Sequence, residues 1–362
     1  MSDPIDFVVR RADLHKCKFT PGEALGVDLK PGQVRLRVEK FGFTANNITY
    51  AVYGDAIGYW GFFPAEEGWG RVPVWGFGEV VNSSNEVIAQ GQRYYGYFPM
   101  STLVTMDANS NSTGFRDAAQ HRQALPGVYN QYFETAKDPG YDREHENEQM
   151  ILRPLFITSF LAHDYLADKD FAGAKTVVVS SASSKTAYAL AFLLSRDQRI
   201  EVIGLTSEKN QGFTRELGCY DRVITYDAIE SLTKESPATF VDVAGSAEVR
   251  EALQNHLGGA LSYSMALGDT HWQEEGAGAD LVEDREFFFA PNWLTKRVED
   301  WGMQGYGERL GAAWRAFRAQ LGSWMKVVEE SGPDAVQRVY LDHLNGRADP
   351  KIGNVLTLAA KG

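Results

Sequence analysis

The rhythm of apolar and polar positions changes once along this chain, near residue 150. Before that point it runs with period two. Val34–Phe43 (VRLRVEKFGF) sets apolar residues against charged or small ones, as a strand buried on one face does. Val72–Val81 and Gly91–Leu103 are similar, with glycine and aromatic residues at their turns. Short strands with turn signals between them predict a small barrel-like or rolled sheet. Asp107–Gln149 differs: it is rich in Asn, Gln, Asp and Glu, carries scattered Tyr and Phe, and reads as a long excursion with some helix.

After residue 150 strands alternate with helices. Met150–Ala167 has helical spacing of its apolar residues, and Thr176–Ser180 (TVVVS) is a short, β-branched, fully buried strand. An apolar helix, Thr186–Leu194, follows it directly. Further strands are expected at Glu201–Leu205, Arg222–Tyr226, Phe240–Val243 and Ala260–Ala266, with a helix at Lys209–Leu217 ending at Gly218. Strands joined through helices imply parallel crossovers and a doubly wound sheet. Tyr306–Val328 reads as a strong amphipathic helix, followed by a polar turn and a last strand, Asn354–Leu358. The expected fold is therefore α/β, a Rossmann sheet inserted in a mainly β, barrel-like domain. Its expected boundaries are 1–149 with 291–362 for the β-rich domain and 150–290 for the doubly wound one.

Length and composition narrow the classes. A chain of 362 residues suits two domains or one interrupted by another. Thirty-six Lys and Arg against 48 Asp and Glu leave a net charge of −12, which argues against nucleic acid as a partner. Cys17 and Cys219 make no disulfide framework, and neither has a CxxC partner. Met1, Ser2, Asp3 and Pro4 open into charged residues with no apolar export region, and Arg153, Pro154, His163 and Asp164 interrupt Ile151–Ala167. A cytoplasmic protein with no membrane association is expected.

The candidate chemistry begins at the turn after TVVV. A buried strand, the small residues Ser180, Ser181, Ala182, Ser183 and Ser184, and an apolar helix form an opening suited to a pyrophosphate at the helix N-terminus. Ser181, Ser184 and Ala187 stand where the usual fingerprint has glycines; Lys185 and Thr186 open the helix. Ser184-Lys185-Thr186 also looks like the end of a P-loop, but Val179 and Ser184 occupy that motif's two glycine positions. A ligand-free βα turn is the other reading of these residues. The next strand ends in Thr206-Ser207, with Lys209 close behind. Hydroxyl plus ammonium suits a 2′-phosphate better than a 2′-hydroxyl, provided Glu208 faces solvent, so NADP is favoured over NAD.

With these residues in place the sequence resembles the medium-chain dehydrogenase/reductase superfamily, in its quinone-reductase and enoyl-reductase-like branch. The resemblance runs through VRLRVEKFGFTANNITYAVYGD (34–55), VPVWGFGEVVNS (72–83), GQRYYGYFPMSTLVTM (91–106), TVVVSSASSKTAYALAF (176–192) and LTSEKNQGFTRELGCYDRVITYD (205–227). It implies that Ser207, Lys209 and Tyr226 hold the adenosine 2′-phosphate of NADP(H). The zinc ligands of the alcohol dehydrogenases would fall in Thr44-Ala45-Asn46-Asn47 and Val74-Trp75-Gly76, which carry none. His15, His121, His145, His163, His256, His271 and His343 show no metal spacing, so no metal is expected.

The activity implied is zinc-independent hydride transfer from NADPH to an enone or quinone-like compound, with the forming enolate taking a proton. Tyr53 is the first candidate donor and Tyr50 the reserve, both just beyond Asn46 and Asn47, with Asn47 counted in the site; an aromatic packed under the loop is the alternative. The run Tyr50, Tyr53, Tyr59, Trp60, Phe62 and Phe63 suggests a wall for a small apolar or aromatic substrate, and Trp293, Trp301 and Tyr306 are further candidates to line it. Other readings keep the scaffold: ketone reduction, lyase chemistry, or non-catalytic NADP binding. A homodimer is expected through an edge strand near Ala260–Ala266, where Leu261, Tyr263, Met265 and Leu267 would pair across a two-fold axis.

Overall fold

In a computed structural model the chain divides into two units, Met1–Ile151 with Val327–Gly362, and Leu152–Lys326. The structure describes residues 3–56, 58–138, 140–267 and 286–359. Met1, Ser2 and His271 of the sequence reading lie outside them.

In the first unit β1 (Ile5–Arg10) and β2 (Asp13–Pro21) form an antiparallel hairpin, joined on its other side by β4 (Trp69–Gly70). The main sheet contains β3 (Gln33–Phe43), β5 (Pro73–Ser83), β6 (Arg93–Pro99), β7 (Leu103–Asn111), β8 (Gly114–Asp117), β9 (Gln131–Glu134), β16 (Lys326–Ser331) and β17 (Ile352–Thr357). Their order is β16-β17-β3-β5-β6-β9-β8-β7. β3 also pairs with β7, at Val34↔Met106 and Leu36↔Val104, so the sheet from β3 to β7 closes into an antiparallel barrel. Val34, Leu36, Val80, Phe98, Phe115 and Tyr132 are fully buried in this unit. Helix α1 (Ala45–Val52) follows β3, and α8 (Pro333–Leu344) lies between β16 and β17.

The second unit holds a parallel sheet of β10 (Thr176–Val179), β11 (Glu201–Thr206), β12 (Arg222–Thr225), β13 (Ala238–Asp242), β14 (Leu261–Ala266) and β15 (Glu286–Phe287). The order is β12-β11-β10-β13-β14-β15, with α3 (Lys185–Leu194), α4 (Glu208–Glu216) and α5 (Ala247–Leu257) between successive strands. Val178, Ile203, Leu205, Phe240, Leu253 and Leu257 form its core. This is the Rossmann-like sheet and barrel-like partner that the pattern predicts. Helix α2 (Glu146–Asp168) begins in the first unit and ends in the second; α6 (Ala290–Arg318), broken at Gly302, and α7 (Leu321–Trp324) complete the second.

Three expectations are corrected. Asp107–Gln149 has the expected helical turns, but it also carries the end of β7 and all of β8 and β9; in β7 Val104, Met106 and Ala108 are buried while Asp107 and Asn109 are exposed, and that alternation is hidden by the segment's polar composition. The helix expected over 306–328 stops at Arg318, and Lys326–Ser331 is strand; the polar turn beyond it contains α8, whose Val336, Val339, Tyr340 and Leu344 share one buried face. Finally, β14 is not an edge. β15 pairs with it at Met265↔Glu286 and Ala266↔Phe287, so the edge-to-edge homodimer expected there lacks a free edge over that half of the strand.

Glu146 opens α2 and gathers three donors in the first unit. Arg93 reaches it at 2.8 Å, Lys40 at 2.9 Å, and the Tyr141 hydroxyl donates to the same carboxylate. Burial alone would push this carboxyl up; the hydrogen bonds from Arg93, Tyr141 and Lys40 outweigh it and hold the pKa at about 2, against 4.5 for a free glutamate. A depressed carboxyl stabilises the fold fully above pH 4.5, and that contribution disappears as the pH falls toward 2. Glu146→Gln is therefore expected to lower stability at neutral pH and to flatten the loss between those two values. Urea melts across the range check this, and an unchanged acid slope would remove the carboxylate from the account.

Candidate functional site

Strand β10 is four buried residues, three of them valines, held between β11 and β13. Ser180 ends it with no exposed surface. Its hydroxyl donates to Asp242 Oδ1 (3.0 Å) and accepts from the backbone N–H groups of Val243 (2.8 Å) and Ala244 (2.9 Å). Asp242 Oδ1 also accepts from Gly245 N–H (2.9 Å), and Arg250 lies 3.3 Å from Oδ2. One serine hydroxyl thus ties the ends of β10 and β13 together and fixes where the next loop starts.

That loop keeps a glycine-like course without glycine. Ser181 has φ 50, in the left-handed region that side chains disfavour, and its N–H donates to the Tyr226 hydroxyl at 3.0 Å. Ala182 packs over Gly204 of β11, where an added Cβ would stand 3.0 Å from it and 2.9 Å from the Tyr220 ring; Tyr220 donates to the Ala182 carbonyl at 2.9 Å. Ser183 accepts from Asn210 Nδ2 (3.1 Å), which links the loop to α4. Ser184 is the N-cap of α3, its hydroxyl accepting from Ala187 N–H at 3.3 Å. Lys185 and Thr186 are the first two residues of that helix, both half-buried.

At the neighbouring strand tip Thr206 is buried and Ser207 caps α4 without a side-chain hydrogen bond, which leaves its hydroxyl uncommitted to the helix. Glu208 and Lys209 are exposed. The structure thus joins Ser181 to Tyr226 directly, and the Ser183–Asn210 bond brings the loop to the helix that carries Lys209. The sequence reading counted Ser180 only as a small residue of the turn, and it missed Asn210, Tyr220 and Asp242. Ser180 and Asp242 each carry a signal, as the one polar residue that ends an apolar strand; Asn210 and Tyr220 carry none.

The candidate catalytic residues lie in the first unit, on α1. Asn47 is buried and committed to structure: its Oδ1 accepts from Thr44 N–H (2.8 Å) at the start of the helix, and its Nδ2 donates to the Pro73 carbonyl (2.9 Å). Tyr50 is buried among aromatic rings, with Tyr59 at 4.7 Å and Tyr97 at 5.5 Å between centroids, and its oxygen accepts from Trp75 Nε1 at 3.4 Å. Burial, then the neighbouring Tyr59, pushes its pKa far above the usual phenol range. Tyr53 is the C-cap, half-buried, one turn further along the same face. Gly54 after it serves close packing: a Cβ there would sit 2.1 Å from the Trp60 indole. Trp293, Trp301 and Tyr306 are on α6 in the second unit, where Trp293 donates to Asp164 (2.7 Å), Arg297 stacks on Trp293 and Trp301, and Tyr306 meets Phe160. Among the described residues no group of three His, Cys, Asp or Glu side chains is placed to hold a metal, and no helix is long and apolar enough to cross a membrane.

The chain belongs to a family described as a protein of unknown function (DUF2855), whose model matches residues 41–349. A search of curated proteins by sequence returns no match. Among solved structures the fold is similar to CurA of Vibrio vulnificus in complex with NADPH, at 12% identity and a TM-score of 0.61 over 99% of this chain and 100% of that one. It is similar also to the yhdH oxidoreductase of Salmonella enterica in complex with NADP (15% identity, TM-score 0.53, 98% and 100% covered). A mutant form of enoyl thioester reductase from Candida tropicalis matches at 13% identity and a TM-score of 0.56, with 99% and 100% covered. At these identities the likeness establishes the fold.

Ser180→Ala leaves two buried N–H groups and a carboxylate oxygen each short of a partner, so a loss of about 1–3 kcal/mol is expected. Ser184→Ala removes an N-cap and is expected to cost about 1 kcal/mol. Denaturant melts of the two variants check the order. A milder effect at Ser180 would show that the β10–β13 tie is not what holds the loop.

Proposed function

We propose that the protein is an NADPH-dependent, zinc-independent oxidoreductase acting on an α,β-unsaturated carbonyl or quinone-like compound. The observation that carries this reading is Ser181 at φ 50, at the end of a parallel central strand, with Tyr226 on its N–H. A serine in the left-handed region keeps the backbone course that glycine gives a nucleotide loop, and α3 begins directly after it. The residues fit the dinucleotide. The first turn of α3, with Ser184, Lys185 and Thr186, would face the pyrophosphate; Thr206, Ser207, Lys209 and Tyr226 would hold the 2′-phosphate. Lys209 is exposed, and no carboxylate among the described residues pairs with it. Similar folds crystallised with NADPH and NADP support the choice of cofactor.

Bound NADPH supplies the hydride. The chain's own part is to hold the acceptor and return a proton to the carbon or oxygen that becomes basic. In this reading Tyr53 is the donor: half-buried at the end of α1, it reaches solvent to be reprotonated, whereas Tyr50 is closed in by Tyr59, Tyr97 and Trp75. Asn47 acts on both by fixing the start of α1.

Lys209→Ala is expected to weaken NADPH binding about tenfold or more, from the loss of a charge-assisted contact of about 1.5–3 kcal/mol, and to leave NADH nearly unaffected. Calorimetry with both nucleotides decides, and equal losses would move the 2′-phosphate elsewhere. Tyr53→Phe is expected to lower kcat by roughly a hundredfold on an accepted enone or quinone, with NADPH affinity unchanged and Tyr50→Phe milder. Near-native turnover in Tyr53→Phe would leave water as the proton source. Elemental analysis that found a tightly held zinc would overturn the zinc-independent assignment.

A further inference from the structure

Among the described residues the Tyr97 hydroxyl has no hydrogen-bond partner. Tyr97 lies on β6 with no exposed surface, and its oxygen makes no hydrogen bond. A phenylalanine would keep every ring contact, with Tyr50 at 5.5 Å, Trp75 at 5.2 Å, Phe62 at 5.4 Å and Tyr129 at 4.7 Å, and would desolvate no polar group. No described residue uses this hydroxyl, which leaves it open to a group from outside the fold.

The surroundings define what enters. Around Tyr97 stand phenol and indole groups and one cation, Arg122, already committed to Asp117 (3.1 Å), the Tyr132 hydroxyl (3.1 Å) and the Phe62 carbonyl (3.0 Å). Such a lining offers neutral donors and flat apolar faces and has no free charge to meet an ion. Burial, then the neighbouring Tyr50, Tyr129 and Tyr59, drives the Tyr97 pKa well above the ordinary phenol value, so the group stays a donor. Among the phenols one ring differs from the rest. Tyr129 is carried on a short 3-10 turn, Gly127–Asn130, beside the exposed Val128; it is partly exposed, while Tyr50, Tyr59 and Tyr97 are buried. It touches each of those three rings and is tied by a hydroxyl contact to Tyr59 at 3.2 Å.

We propose that the Tyr129 ring occupies the slot of a neutral, planar, conjugated carbonyl compound, and that its displacement lets Tyr97 Oη donate to the carbonyl oxygen of that compound. This deepens the reductase reading and rests on it for the substrate class, but it assigns the binding group to the barrel wall rather than to α1.

The test uses the full chain without nucleotide. Tryptophan fluorescence titrations compare 2,3-dimethyl-1,4-naphthoquinone with the oxygen-free 2,3-dimethylnaphthalene. Tyr97→Phe should weaken quinone binding about tenfold or more, leave the hydrocarbon within about twofold, and keep or raise the thermal midpoint. Tyr129→Ala should tighten both ligands. Equal loss of both ligands in Tyr97→Phe, no loss of the quinone, a lowered midpoint (which would mean a buried water satisfies the hydroxyl), or weaker binding in Tyr129→Ala would each overturn the proposal. The two readings fail separately. A protein that binds NADPH but not the quinone refutes the slot alone; one that binds the quinone through Tyr97 but takes no NADPH refutes the reductase reading alone.

Discussion

The second unit depends on one buried side chain at the end of its central strand. Parallel sheets gather the C-terminal ends of their strands at one edge, and the loops leaving those ends form the site. Here the ends of β10 and β13 are locked by Ser180, whose single hydroxyl serves Asp242, Val243 and Ala244 together. Because Ser180 is fixed, Ser181 must turn sharply, and because Ala182 rests on Gly204 the turn stays close to β11. The course of the loop is set by this geometry more than by residue type, so a loop with serines in place of glycines still delivers its chain to the start of α3.

The first unit solves a different problem. Its barrel leaves a cluster of aromatic rings beside α1 with more hydroxyls than the fold uses: Tyr59 and Tyr129 share one contact, Tyr50 takes a bond from Trp75, and Tyr97 takes none. Aromatic packing alone favours phenylalanine at such positions, since each buried hydroxyl loses water.

Much of the fold was legible in the sequence. TVVVS, EVIGL and RVITY are β-branched runs set off by small or polar residues, and all three fall on strands of the parallel sheet. Composition misled where one face of an element meets solvent, as in β7, whose Asp107 and Asn109 hide the alternation of Val104, Met106 and Ala108. The sites were harder to read. Tyr226 and Ser181 are 45 residues apart and meet only because the β12 end and the β10 end share an edge of the sheet. Asn47 had the residue type and position of a site amide, yet both ends of its amide are taken by backbone, which only the folded chain shows. Tyr97 carried no signal at all, because an orphan hydroxyl is a property of packing.

The serine-rich loop also explains why a weak motif can accompany a well-formed fold. A side chain in the left-handed region costs about 1–2 kcal/mol relative to glycine. Against this, a serine has fewer unfolded conformations to lose than glycine would, worth about 0.4–1 kcal/mol; the N–H it gives to Tyr226 is one a glycine would give equally. The second effect offsets part of the first, so serine costs the fold little. The Ser181 N–H is held by the Tyr226 phenol, and a phosphate bound here as proposed would compete with Tyr226 for it. Under the proposed reading, affinity for an anion at this edge would depend on how readily Tyr226 exchanges its bond to the loop for one to the ligand, and the charge of Lys209 would tilt that exchange.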